Sequence, residues 1–290
     1  MMARLRLYVL VVLDTWWKAG TSILSVNGAS LYYEEQGAGL ETVVFAHGVL
    51  WSCRMFDKQV TQMKSRYRCV AFDFRGQGKS EVTRDGYDME TLYEDAAGLI
   101  EALKCAPCHF VGLSMGGFIG MRLAARRPEL IKSLTLLETS ADPEPPENVT
   151  RYKRMTFVER WLGPRLVVGR IMPIIFGQKF LTDPARAEER REWQRRLEGN
   201  HRVGISRAVM GVAERKGVRD ELKAIRAPTL VIVGDQDVSL PLEHSERLHE
   251  GIRGSRLVVI PGAGHSSTIE EPDAVNAAIL EFLGGLASPH

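Results

Sequence analysis

Gly112-Leu113-Ser114-Met115-Gly116-Gly117 is the stretch on which the fold turns. An apolar run from His109 to Gly112 precedes it and reads as a strand, and a helical pattern at 116–127 follows. Serine with glycine two residues to either side suits a sharp strand-to-helix turn, because bulk at 112 or 116 would hold the two elements apart. Such a turn lifts the hydroxyl above the sheet and points the N–H of Met115 at an oxyanion forming beside it. G-x-S-x-G strings are frequent by chance. The strand–turn–helix setting gives this one its meaning and makes Ser114 the candidate nucleophile.

Working outward, short apolar β-branched runs alternate with longer helical patterns. The strands expected are Ile23 to Val26, Leu31 to Gln36, Thr42 to Ala46, Cys69 to Asp73, His109 to Gly112, Ser133 to Leu137, Thr229 to Val233 and Arg256 to Ile260. Asn27-Gly28 joins the first two as a two-residue hairpin. Most of the others lack polar alternation, as strands buried on both faces do. Helical patterns fall at 54–65, 89–104, 116–127, 242–251 and 272–284. Strands alternating with helices predict parallel crossover units and an α/β architecture. The rhythm breaks between about 141 and 222, where Pro143 to Pro146 lead into charged helical segments punctuated by Pro164, Pro173 and Pro184, each expected to start or end a helix. The expected organisation is an extension at 1–21, a core formed by 22–140 and 223–290, and a helical cap at 141–222.

A serine hydroxyl is barely ionised near neutral pH and needs a base. Of the seven histidines, His265 lies in Pro261-Gly262-Ala263-Gly264-His265-Ser266, directly after the last expected strand, where open α/β sheets place their sites. His47 also follows a strand, but beside Gly48 it reads as a residue that shapes the backbone. The imidazole in turn needs an acid to orient it. Asp237, in the loop Gly234-Asp235-Gln236-Asp237, is the first choice, with Asp235 and Glu138 as alternatives. The order Ser, Asp, His is the one this nucleophile turn carries. The loop Ala46-His47-Gly48-Val49-Leu50-Trp51 offers the second oxyanion donor, the N–H of Val49, to act with that of Met115.

Composition excludes other classes. At 44% hydrophobic and 26% charged, the 290 residues suit a globular chain, and a net charge of +2 without a basic motif argues against nucleic acid. Residues 151–219 nevertheless carry roughly ten more Lys and Arg than Asp and Glu, either as a solvated helical surface or as a field drawing acidic substrates. Gly78-Lys79-Ser80 is not a phosphate loop, since Asp73 stands where that motif needs glycine. No cluster has metal-ligand spacing, so no metal is expected. Cys105-Ala106-Pro107-Cys108 precedes a strand rather than opening a helix, the wrong context for redox chemistry. The apolar run Leu7 to Leu13 is too short to cross a bilayer, and Asp14 ends it. A soluble, cytoplasmic protein without stable membrane insertion, monomeric or homodimeric, is expected.

Together, HG after the third strand, DFRGQGKS after the fourth, GLSMGG at the elbow, GDQDVSLP and GAGHSS resemble the α/β-hydrolase superfamily from about residue 22 to 284. The elbow and the compact cap look most like the group of 3-oxoadipate enol-lactonases, small carboxylesterases and bacterial perhydrolases. The resemblance implies an eight-stranded, mostly parallel sheet with helices on both faces and a helical cap after the sixth strand. It also implies a cofactor-free acyl-enzyme mechanism carried by Ser114, Asp237 and His265 on a small ester or lactone. Serine at 114 sets the chain apart from haloalkane dehalogenases and epoxide hydrolases. VLWSC after HG lacks the glycine-rich stretch of carbon–carbon bond hydrolases. Carbon–carbon hydrolysis, perhydrolysis and a receptor role on the same scaffold are the rival expectations. Trp51, Trp161, Met172, Ile174 and Phe176 are expected to wall an apolar pocket.

Overall fold

The computed structural model describes residues 20–162 and 165–287. The chain enters the sheet through a hairpin of β1 (Gly20–Val26) and β2 (Ala29–Gln36). Asn27 and Gly28 both take positive φ, 46° and 73°, the type I′ geometry whose twist matches that of paired strands. The chain continues through β3 (Thr42–Ala46), α1 (Asp57–Met63), β4 (Arg68–Phe72), α2 (Met89–Ala102), β5 (Cys108–Leu113), α3 (Met115–Arg126) and β6 (Ile131–Leu137). Among the described residues five α-helices then intervene before the next strand: α4 (Pro146–Leu162), α5 (Arg165–Ile175), α6 (Gln178–Thr182), α7 (Ala187–Glu198) and α8 (Arg202–Ala213). β7 (Thr229–Gly234), α9 (Leu242–Gly251), β8 (Arg256–Ile260), α10 (Ser267–Glu270) and α11 (Pro272–Ala287) complete the chain. All eight expected strands are present; β1 starts three residues earlier than expected, four others are one or two residues longer, and β4 runs from Arg68 to Phe72 without Asp73.

The strands form one sheet in the order β1-β2-β4-β3-β5-β6-β7-β8. Among the described residues only β1–β2 and β2–β4 pair antiparallel, and every other pair is parallel. The unalternating runs of β3, β5 and β7 are buried along their whole length, because helices cover both faces. On one face α2, α3 and α9 pack Leu92, Ile119 and Leu248 around Phe72 and Phe110. On the other, α1 and α11 pack Met63 and Ile279 around Phe45 and Val111. Each such fully buried side chain stabilises by roughly 1.5–3 kcal/mol relative to exposure. β8 closes one edge, and its burial is only partial, with Arg256 exposed.

Two features matter for position. β3 has β4 on one side and β5 on the other, so the winding reverses between β3 and β5, and open α/β sheets bind ligands at such a reversal. The segments after β3, β5, β7 and β8 all leave from the carboxyl ends of strands.

Pro173 departs from expectation: it lies inside α5 rather than at its boundary. It stands two residues from the helix end, so the hydrogen bond its ring removes falls in the last turn, where the cost is least. Pro184 does start a short 3₁₀ turn. Pro164 and the apolar run Leu7 to Leu13 lie outside the described residues. Of the extension expected at 1–21, Gly20 and Thr21 belong to β1. Among the described residues no helix is long and apolar enough to cross a membrane.

Candidate active site

Ser114 sits between β5 and α3 at φ 51°, ψ −109°, outside the regions open to non-glycine residues at little cost. Its surroundings over-determine that conformation. Its N–H donates to Leu137 O at 2.8 Å, and its carbonyl accepts from Phe118 N at 3.0 Å and Thr139 Oγ1 at 2.8 Å. The glycines act as steric reasoning requires. A Cβ at 112 would overlap the carbonyl of Gly116, one at 116 the carbonyl of Ala46, and one at 117 the side chain of Thr139. Strand, helix and neighbouring strand thus meet at backbone distance around one serine.

His265 follows β8 in the loop before α10. Its Nδ1 lies 2.8 Å from Asp237 Oδ2, with both side chains buried. Asp237 Oδ1 accepts from Ser239 N at 2.8 Å and Leu240 N at 3.0 Å, which fixes the plane of the carboxylate. Of the alternatives, Asp235 is exposed and accepts from Gly262 N at 2.6 Å, and the two carboxyl oxygens of Glu138 have no hydrogen-bond partner among the described residues. Asp237 alone of the three engages the imidazole. Ser114 and His265 line the same cavity, although no hydrogen bond joins Ser114 Oγ to the ring.

The loop after β3 is braced from three sides. His47 Nε2 accepts from Phe74 N at 3.0 Å, which leaves Nδ1 to donate to Gly48 O at 2.7 Å. Burial lowers the pKa of His47 and keeps this strut neutral. Leu50 N donates to Gln77 Oε1 at 2.9 Å, and Leu50 O accepts from Asn200 Nδ2 at 2.8 Å. The Leu50 amide is therefore engaged, whereas the Val49 amide has no acceptor among the loop's hydrogen bonds. Met115, the first residue of α3, has no intrahelical acceptor for its N–H either. Gly48 packs on the elbow, where an added Cβ would lie 3.0 Å from Leu113 and 3.4 Å from Ser114 Cβ.

Above these residues is a cavity of about 100 Å³. Val49, Phe118, Val167, Ile171, Val209 and Leu240 make most of it apolar. Its polar wall is a buried ion pair, Arg215 Nη1 to Glu144 Oε2 at 2.6 Å, beside Tyr152. Of the five residues expected to wall the pocket, Ile174 lines it. The other four do not. Trp51 is buried edge-on against Phe176 and Trp193, at 5.7 and 5.4 Å between ring centroids. Phe176 stacks on Phe180, and Met172 belongs to the same apolar cluster. Trp161 is 66% exposed on α4 and pairs with Phe157, turned away from the cavity.

A family model described as alpha/beta hydrolase fold matches residues 41–272. The chain belongs to this family. The hydrolase superposes on a thermophilic esterase from Thermogutta terrifontis with a TM-score of 0.86 and 29% identity, over 93% of this chain and 100% of that one. An enol-lactonase from Burkholderia xenovorans LB400 gives a TM-score of 0.84 at 27% identity, over 91% and 100% of the two chains. A putative carbamate hydrolase, RutD, from Caulobacter sp. (strain K31) is 28% identical over 271 residues, covering 89% of this chain and 97% of its own.

Of two buried carboxyls near His265, sequence reasoning about the hydrolase missed Glu270 and missed the setting of Glu138. Glu138, weighed only as an acid alternative, is fully buried at the end of β6, where φ is 41°. Burial, reinforced by the charge of Asp237, raises its pKa well above the usual carboxylate range. Glu270 closes α10 and accepts three backbone N–H bonds. Burial outweighs them and pushes its pKa up to about 7. Neither residue has a local motif that would have announced it.

Three expectations concerned other segments of the hydrolase. All four cysteines are free and buried, and burial raises the Cys105 thiol to about 11 and Cys108 further, which leaves little thiolate. The segment around Gly78 wraps Asp73, whose carboxylate accepts from Cys53 N at 2.7 Å and Lys79 N at 2.8 Å. Much of the positive charge on α7 is met locally, since Arg191, Arg195 and Arg196 pair with Glu188 and Glu192.

Proposed function

We propose that the protein hydrolyses a small carboxylic ester or lactone through an acyl-enzyme. His265 takes the proton from Ser114 Oγ as that oxygen attacks the carbonyl. The amides of Val49 and Met115 receive the oxyanion, and His265 returns the proton to the leaving alcohol. Water activated by the same imidazole then releases the acid. Asp237 holds the ring with its proton on Nδ1, so that Nε2 is the basic atom. The observation that carries this reading is the 2.8 Å contact of His265 Nδ1 with Asp237 Oδ2, with the imidazole and Ser114 opening into one cavity. The esterase and enol-lactonase among the similar structures support the substrate class.

On this reading α4 to α8 form the cap, within residues 141–222, over a core of 22–140 and 223–290. The cavity beneath it is small, about 100 Å³, and mostly apolar. It therefore favours short acyl groups. Arg215 meets its counter-charge in Glu144, so the wall presents no net positive charge to attract an acid. A p-nitrophenyl ester series from acetate to octanoate tests this. kcat/KM should peak at two to four carbons and fall at least tenfold by octanoate, and Ser114→Ala should abolish turnover throughout. Turnover retained by Ser114→Ala would end the reading.

A further inference from the structure

The loop that carries His265 is held by a carboxylate which the mechanism above does not use. Glu270 is 1% exposed. Its Oε1 accepts from Gly264 N at 3.0 Å and from Ser266 N at 3.1 Å, the two residues that flank His265. Its Oε2 accepts from Gly177 N at 2.7 Å, at the junction between α5 and α6. One side chain thus fastens the backbone on both sides of the imidazole and joins it to the inserted helices. The two backbones meet with no room between them: a Cβ on Gly177 would lie 2.9 Å from Gly264 N. Arg186, from the same insertion, donates to the carbonyls of Ile269 (2.9 Å) and Glu270 and braces α10 from behind.

From this geometry we infer that Glu270 is a positioning residue for His265, registering the imidazole between Asp237 and Ser114 and tying that register to the seating of the inserted helices. Each N–H it binds is buried, and a carboxylate can accept all three where a neutral amide cannot. Glutamine keeps the shape but offers one acceptor oxygen. Its NH₂ would face at least one N–H donor, so part of the clamp must open. The consequence falls on the loop that carries the base, since Oε1 binds the amides on both sides of His265. Substrate binding in the cavity would be little changed, because Glu270 does not line it.

The inference rests on His265 being the base, and the test separates the two ideas. kcat and KM are measured on p-nitrophenyl acetate for the wild type, Glu270→Gln, His265→Ala and the double variant, with a thermal melt of each. Glu270→Asp, which keeps the charge but draws it back by one carbon, passes through the same cycle as a second variant. The expected result is a 10- to 100-fold fall in kcat for Glu270→Gln with KM within about twofold. In the His265→Ala background the Glu270 substitution should have no further effect, because the group it positions is gone. An unchanged kcat, a loss confined to KM, or a loss of equal size with and without His265 would overturn the positioning role while leaving the base in place. Wild-type turnover by His265→Ala would overturn the base assignment and this inference with it.

Discussion

Replacing Asp237 by asparagine changes one atom of the side chain, and the structure determines which. Oδ1 receives two backbone N–H bonds, from Ser239 and Leu240, and Oδ2 faces His265 Nδ1. In Asp237→Asn the amide oxygen must keep the two backbone donors, because the flipped amide would set its NH₂ against both. The NH₂ group therefore faces His265 Nδ1 and can only donate to it. The ring proton moves to Nε2, and the nitrogen turned toward Ser114 can no longer accept a proton. A wrong tautomer of this kind costs about 10⁴ in kcat where it has been isolated, or about 5.5 kcal/mol of barrier. We expect a fall of 10³ to 10⁴ in kcat on a short-chain p-nitrophenyl ester, with KM little changed and a melting temperature close to wild type. Asp235→Asn is the internal control. Its carboxylate is exposed and serves Gly262 N, so turnover should stay within threefold. A kcat for Asp237→Asn within tenfold of wild type, or a larger loss for Asp235→Asn, would refute the assignment of the acid.

Gly116→Ala places a methyl against the Ala46 carbonyl, with Ala46 Cβ 3.0 Å away, so β3 and α3 must separate. The overpacking should cost about 1–3 kcal/mol, visible by differential scanning calorimetry as a melting temperature lower by about 3–10 °C. An unchanged melt would contradict the close approach. Glu138 retains its proton well above the pH at which the unfolded chain releases it, near 4.5. Its contribution to stability is therefore present below that pH and lost as pH rises toward its folded value. Urea unfolding at pH 5 and pH 8 should show the wild type losing more stability over this interval than Glu138→Gln. Buried His47, whose pKa is lowered, acts in the opposite direction below about 6.5 in both proteins, so the difference between them isolates Glu138. Equal slopes would mean that Glu138 is not held neutral by the fold.

What the sequence disclosed and what it withheld follow from the range of the forces involved. Strand runs such as Val43 to Ala46 announce burial because nothing polar interrupts them. Gly112 and Gly116 announce a close approach because no other residue permits one, and the overlaps at Gly116 O and Ala46 O bear out that reading. These are local signals. The pocket wall is not local. α4 carries Met155, Phe157, Val158 and Trp161 among charges with no clear apolar face, so periodicity could not tell which side turns inward. Trp161, expected in the wall, stands in solvent instead. Trp51 and Phe176 are large enough to line a pocket, yet they fill the seam between the sheet and the insertion. Arg215 and Glu144, 71 residues apart near the two ends of the insertion, meet only once the insertion closes on itself. Glu270 was illegible for a similar reason, since its partners are backbone amides and its meaning depends on the return of Gly177.

The most direct measurement is reaction with a fluorophosphonate followed by peptide mapping, since it requires a reactive hydroxyl and no guess about substrate. One equivalent should bind covalently at Ser114, and His265→Ala should slow that labelling by about 10²- to 10⁴-fold, the range of general-base assistance. Modification at another residue, or labelling of Ser114 at an undiminished rate without His265, would contradict the account.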